Sequence, residues 1–439
     1  AVATEESGER KVKMRSLALD LVPMGSDEEN RMADLKVTKT LPEGIESKML
    51  YSDIIHIAWP SLVELTLTQL ASMVDLMMVG QLGPWALTAV GLTTQPKFLL
   101  MTMFMAMNVG ATAMVARYKG AGNQKKADEV LRQALLMTFV LGCVFAVIGF
   151  IAAPWLIKFM GASEDHVLQA GVDYLRIQMI GLPGLALTST ITATLRGVGN
   201  SKTAMIYNAM ANIINVFFNY MLIYGNFGAP RMEVAGASLA TIIGQYCAMF
   251  MAFYAVMNGQ QYIILRFRDG FKPNKEEIKK IVDIGAPAMV EQVVMRIGLI
   301  IYTRTVAGLG TLPYAVHQVC LNIQSLSFMN GQAFAVSATS LTGQSLGKKR
   351  HDMAQAYTTR TRKLGMCVSI FLGVVFFFFG GQIVALYSGG DQSLVELGAV
   401  IMMFVAVVQP FQSSQLILAG ALRGAGDTKV TAAITFITV

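Results

Sequence analysis

Charge is scarce in this chain. Only 14% of its 439 residues are Asp, Glu, Lys or Arg, against roughly a quarter in soluble domains, which excludes an ordinary water-soluble surface. Histidine is scarcer: His56, His166, His317 and His351 stand far apart, without metal-ligand spacing. Cys143, Cys247, Cys320 and Cys367 are scattered through apolar stretches, so neither a disulfide framework nor a thiolate metal cluster is expected. No glycine-rich phosphate loop ending in Gly-Lys-Ser/Thr occurs, and no nucleophile-plus-base constellation stands out. An ATPase is therefore excluded, no enzyme is expected, and no cofactor is called for. The net charge is +7, but the cations sit in connecting segments and not in a groove interleaved with aromatics, which argues against nucleic-acid binding. Residues 1–52 are polar, carry both charges and lack a signal-peptide core. They read as a mostly disordered cytoplasmic tail.

What the chain has is apolar length. Hydrophobic residues make up 54% of it, and a membrane-crossing helix needs about 20 of them in a run. Spans are expected near 53–82, 86–116, 127–157, 167–195, 203–225 and 234–258, then 277–307, 312–343, 354–385 and 394–422, with an eleventh starting at 430. Pro60, Pro183, Pro287 and Pro410 are expected kink sites. Even-numbered connections carry Arg117, Lys119, Lys125 and Lys126, then Lys272, Lys275, Lys279 and Lys280, then Lys348, Lys349 and Arg350; odd ones hold little beyond Lys158 and Arg231. Cations in excess face the cytoplasm, so the N-terminus is expected inside, in a plasma (inner) membrane protein.

The halves repeat. A shift of 227 residues brings Pro60 and Glu64 onto Pro287 and Glu291, and Leu195-Arg196-Gly197 onto Leu422-Arg423-Gly424. A large apolar unit repeated once is the pattern of a two-lobed transporter. The fold class expected is an all-α polytopic membrane protein with two pseudo-symmetric six-helix lobes. The first lobe takes 53–258, a cytoplasmic linker 259–276, and the second lobe 277–439. By the register the second lobe is incomplete, with roughly 46 further residues expected beyond Val439.

Intramembrane polar residues mark candidate chemistry. Asp75 lies well inside the first span, where a carboxylate costs about 2.5–3.5 kcal/mol on insertion scales. It reads as a proton or cation site, with a hydrogen-bonded structural acid as the alternative. Glu64 lies 11 residues earlier, within about 20° of the same helix face, with Thr68 between. Glu64 recurs as Glu291 after a proline, which suits a structural partner. Asn208, Asn212, Asn215 and Asn219 fall within about 60° of arc on the fifth span. They are either interhelical glue or carbonyl donors for a hard cation such as Na⁺. The second half lacks this chemistry, because Asp75 maps to Tyr302. It offers Arg296, which could pair with Glu291 or attract an anionic group, and Arg304, which could snorkel. Met101, Met103, Met105 and Met107 alternate, so most are expected in packing or against lipid.

Taken together, several segments resemble the multidrug and toxic compound extrusion family, most closely its prokaryotic DinF-type branch. They are Pro60 and Glu64 followed by Val74-Asp75 and Gly80 to Gly83, the stretch 110–123, Leu195 to Lys202, and the asparagine-rich 208–241. The resemblance implies twelve helices around a V-shaped cleft and export of cationic or amphipathic small molecules in exchange for Na⁺ or H⁺. It also implies that Asp75, Asn215, Asn219 and Thr241 couple the ion, with Asp75 the Na⁺ candidate. The protein is expected to act as a monomer in the lipid bilayer. A flippase of lipid-linked oligosaccharides, in the same superfamily, is the alternative, motivated by Arg296 and Arg304.

Overall fold

A computed structural model describes residues 45–161, 164–307, 309, 311–385 and 392–438. Most of the expected tail, and the side chain of Arg304, lie outside the described residues. Among the described residues there are eleven α-helices and no strand: α1 Ser47–Gly80, α2 Pro84–Gly120, α3 Gln124–Phe159, α4 Asp165–Gly197, α5 Ser201–Tyr224, α6 Glu233–Met257, α7 Lys275–Ala307, α8 Thr311–Gly347, α9 His351–Ala385, α10 Gln392–Gly424 and α11 Thr428–Thr438. Residues 45–49 belong to a small unit of their own, and 50–439 form one compact unit. Helix ends follow local chemistry. After α4, Gly199 takes a left-handed conformation at φ 80° and Asn200 caps α5 by accepting from the Thr203 amide at 3.2 Å. Gly426 repeats the turn at φ 81°.

The second half copies the packing of the first. Helices α2, α3 and α4 pack on one another, as do α8, α9 and α10. Positions 227 apart make the same contacts. Glu64 is ion-paired with Arg196 at 2.8 Å, and Glu291 with Arg423 at 2.5 Å. Thr112 donates to the Ala193 carbonyl at 3.1 Å, and Thr339 to that of Gly420 at 2.8 Å.

The halves are also interleaved, for α7 packs on α2 and α2 on α8. At one end of that seam Gly120 abuts the Gln344 carbonyl and Gly347 that of Arg117, too close to admit a side chain on either. Further along the same helices the repeat solves one problem in two ways. Gly110 leaves no room for a Cβ against the Ile281 carbonyl, whereas at the shifted position Ser337 donates its hydroxyl to the Ile54 carbonyl at 3.1 Å.

Among the described residues, seven helices are long and apolar enough to cross a membrane by composition: α1, α2, α3, α5, α6, α9 and α10. The sequence reading also expects spans at α4, α7 and α8. Two of these are polar because they face protein. Thr188, Thr190, Thr192 and Thr194 are buried on α4, and Ser337, Ser340, Thr342 and Ser345 on α8. Helix α7 carries buried Glu291 and half-buried Arg296.

The stretch after α6 is held along α3. Gln124 donates to the Tyr262 carbonyl at 2.7 Å, Asp128 accepts from the Ile264 amide at 2.8 Å, Arg132 pairs with Asp269 at 2.7 Å, and Gln133 donates to the Lys272 carbonyl at 2.8 Å. Buried Glu277, at the start of α7, then accepts from Tyr118 at 3.2 Å and from Lys280 at 3.0 Å.

Removing one partner of a buried ion pair costs about 3–5 kcal/mol, while replacing both with matched neutral groups is often close to neutral. Arg423→Leu should therefore lower the melting temperature markedly, and the double change Glu291→Gln with Arg423→Leu should recover most of the loss. Thermal unfolding of the purified protein in detergent checks this order.

Candidate functional site

Three polar residues on α1 meet three asparagines on α5 in constant register. Asn208 donates to Glu64 Oε1 at 2.6 Å, Asn212 donates to Thr68 Oγ1 at 3.1 Å, and Asn219 donates to Asp75. The helical spacing on each strip makes this possible, because both advance along one face. Thr68 also returns its hydroxyl to the Glu64 carbonyl at 2.9 Å. The rungs differ in depth. Glu64 and Asn219 are buried, Asn208 and Asn212 half-buried, and Thr68 exposed.

Asp75 ends the ladder. The Asn215 carboxamide, turned so that both its ends are satisfied, donates to the two Asp75 oxygens at 2.9 and 3.1 Å and accepts from the Thr241 amide at 3.2 Å. Thr241 reaches in from α6 and donates its own hydroxyl to the Ala237 carbonyl at 2.9 Å. Asn219 Oδ1 is buried and has no hydrogen-bond partner among the described residues. The four residues singled out for ion coupling thus come together around one carboxylate.

That carboxylate faces open space. A cavity of about 400 Å³ is lined by Asp75, Asn208, Asn212, Asn215 and Thr241, with Thr93, Thr94, Lys97, Phe98, Met101, Tyr174 and Gln245 among the remaining wall residues. Of the alternating methionines, Met101 lines the cavity, Met105 is exposed and Met107 is buried. Lys97 is absent from the sequence-derived candidates. Asp75 has no cation near it in sequence, but the fold brings Lys97 from α2 to the same cavity. The signal was available: an ionisable residue inside an apolar run is a candidate site by default.

The second-half candidates do not join this group. Glu291 pairs with Arg423 and not with Arg296, because the repeat gives it the partner that Arg196 is to Glu64. Arg296 instead lies over the Phe98 ring, 4.9 Å from its centroid. Tyr302, at the position equivalent to Asp75, is exposed and meets the His317 ring edge-on at 5.1 Å. Among the described residues no group of three or more His, Cys, Asp or Glu could hold a metal ion.

The MatE family model matches residues 60–221 and 287–439, covering both copies of the repeat. The chain belongs to the MatE family. It is a transporter and not an enzyme. Relatives of this MatE chain include the probable multidrug resistance protein NorM of Thermotoga maritima, 26% identical over 88% of this chain and 82% of that protein. The multidrug resistance protein PmpM of Pseudomonas aeruginosa is 28% identical over 90% and 83%. Among solved structures, an outward-facing multidrug resistance MATE family transporter of the MOP superfamily superposes with a TM-score of 0.82 at 21% identity, over 91% of this chain and 88% of that one. A Pyrococcus furiosus MOP superfamily transporter, described as having reversed polarity in its binding pocket, gives 0.80 at 22% identity over the same shares. The MatE fold is thus an all-helical one, and the described helices supply eleven of its twelve.

Hydrogen bonds to a charged group are worth about 1.5–3 kcal/mol, and exchanges between neutral groups in membranes nearer 0.6. Asn219→Leu should therefore destabilise this MatE protein clearly more than Asn212→Leu, whose partner Thr68 is exposed. Melting temperatures of the two variants test the ranking.

Proposed function

We propose that the protein is a secondary antiporter that exports amphipathic small molecules in exchange for Na⁺ or H⁺, as a monomer in the cytoplasmic membrane with its N-terminus inside. The observation that carries this reading is Asp75, a carboxylate held by two asparagines at the wall of an open cavity. The names of the relatives, multidrug resistance proteins, favour efflux.

The chemistry follows from what the side chains can hold. Ionised, Asp75 accepts from Asn215 and Asn219 and attracts a cation. Its oxygens, the unpartnered Asn219 Oδ1 and the Thr241 hydroxyl oxygen are hard donors of the kind Na⁺ prefers, while a proton would neutralise Asp75 directly. A cation on Asp75 and a substrate bearing a positive group compete for the same wall. Occupancy by one and then the other biases two openings of the cleft. One elementary charge moving down 100 mV releases about 2.3 kcal/mol, enough for roughly a 50-fold concentration ratio.

A second reading, a flippase for lipid-linked oligosaccharides, is favoured by the placement of Arg296 beside the cavity-lining Phe98. Translocation of such a lipid in proteoliposomes without ion-driven dye efflux would select it.

Dye efflux from membrane vesicles, driven separately by a Na⁺ and a pH gradient, tests the antiport reading. Asp75→Asn is expected to abolish efflux under whichever gradient drives the parent, at unchanged protein level. Undiminished gradient-driven efflux by that variant rules the mechanism out.

A further inference from the structure

A second cavity lies at the seam between the halves and shares no wall residue with the one at Asp75. It holds about 330 Å³, and both copies of the repeat line it: Asp53, His56 and Lys119 from the first, Gln344, Lys348 and Tyr357 from the second. Two ammonium groups thus meet one space, one carried on the last turn of α2 and one just past the end of α8. Lys119 is half-buried, donates to the Val198 carbonyl and stands 5.6 Å from the centroid of the Tyr262 ring. Lys348 is exposed, and among the described residues neither lysine has an ion pair. The one carboxylate of the wall, Asp53, accepts from the Tyr357 hydroxyl at 2.7 Å. It can balance only one of the two cations. Gln344 is already committed, donating to the Gly197 carbonyl at 3.2 Å, and Ser345 donates to that of Leu341 at 2.7 Å. The donors left over are those of the lysines and His56.

The repeat supplies an internal comparison. In its register Lys119 corresponds to Leu346, Lys348 to Ala121 and Asp53 to Lys280. On that side the protein neutralises its own charge. Lys280 pairs with Glu276 at 2.8 Å and with buried Glu277 at 3.0 Å, while Arg117, at the position of Gln344, donates to the Ala425 carbonyl at 2.8 Å. Glu277 stands where the first half has Leu50. The shared scaffold therefore requires no lysine at either position, and the acid that closes the counterpart is replaced here by an apolar side chain. Two cations that the fold does not demand and the wall does not neutralise call for a counter-charge from outside the chain.

Depth narrows the choice of anion. The spans expected from the sequence end at 116, 195 and 343, and Lys119, Gly199 and Lys348 follow shortly after those ends, at the level of lipid head groups. In the orientation read from the connecting cations this is the cytoplasmic face, where basic pockets between membrane helices can hold phosphate head groups. We propose that Lys119 and Lys348, with His56, bind a phosphate group across the seam, either the headgroup of an anionic phospholipid or free inorganic phosphate. Its oxygens accept from both ammonium groups. Because Lys119 belongs to α2 and Lys348 follows α8, the bound anion ties the first half to the second. It stabilises this arrangement of the halves over any that parts them.

Melting of the full chain in nanodiscs tests the site in two arms. In discs of phosphatidylcholine alone, inorganic phosphate is titrated in, with sodium chloride of equal ionic strength as the blank. In the other arm part of the phosphatidylcholine is replaced by phosphatidylglycerol. The parent is expected to melt about 3 °C higher in at least one arm; a shift in the first identifies a free anion, a shift in the second a headgroup. Lys119→Gln and Lys348→Gln should each remove at least half of the shift, and the double variant all of it. Lys202→Gln removes the same charge from an exposed side chain outside the cavity and should keep the shift in full. Since Lys348 is exposed, Lys348→Gln carries the test if Lys119→Gln does not fold. No shift in either arm, an undiminished shift in Lys348→Gln, or an equal loss in Lys202→Gln overturns the proposal. Efflux that persists in Asp75→Asn would defeat the antiport reading instead, and would leave this site standing.

Discussion

A polar side chain inside a bilayer has to be satisfied by protein or by water that protein encloses, because hydrocarbon offers it nothing. Helix α1 carries Glu64, Thr68 and Asp75 along one face, and each finds an asparagine of α5. This seam orients the rest of the site. It fixes the rotation of α1, holds Asp75 at the cavity wall and brings Asn215 within reach of Thr241 on α6. Glu64 is further tied to Arg196 of α4, so one end of the strip is locked and the other is left facing open space.

Much of this could be read before any coordinates. The 11-residue spacing of Glu64 and Asp75 and the 4, 3, 4 spacing of the asparagines are local helical geometry, and they put both strips on single faces. The repeat likewise announces itself by exact register. Choices between distant partners were not legible. Glu291 and Arg296 are close in sequence and suggested a pair, yet Arg423, more than a hundred positions away, takes Glu291. Lys97, an ionisable residue inside an apolar run, was legible as a candidate, but its nearness to Asp75 was not, since only the packing of α2 brings both to one cavity. Composition also understates α4 and α8 as spans, because their threonines and serines are turned to protein and not to lipid.

The two halves diverge at the cavity wall and agree where helices stop or touch. The Glu–Arg pairs, the threonine bridges to the α4 and α10 backbones and the left-handed glycines are held in common. The cavity wall is not: Asp75 stands opposite Tyr302 in the register, and Lys97 opposite Gln324. A duplicated scaffold thus carries this set of polar residues, among those described, on one side only, and the copied half serves as a built-in control for which residues the fold itself demands.

The stretch between α6 and α7 runs along α3, fastened at Gln124, Asp128, Arg132 and Gln133. It is no slack tether. With Glu277 fixed to Tyr118 as well, the root of α7 is fastened to both α3 and α2. In the alternating-access reading proposed above, movement of the halves would bend α7 at Pro287, the proline inside that helix, where the backbone gives up a hydrogen bond.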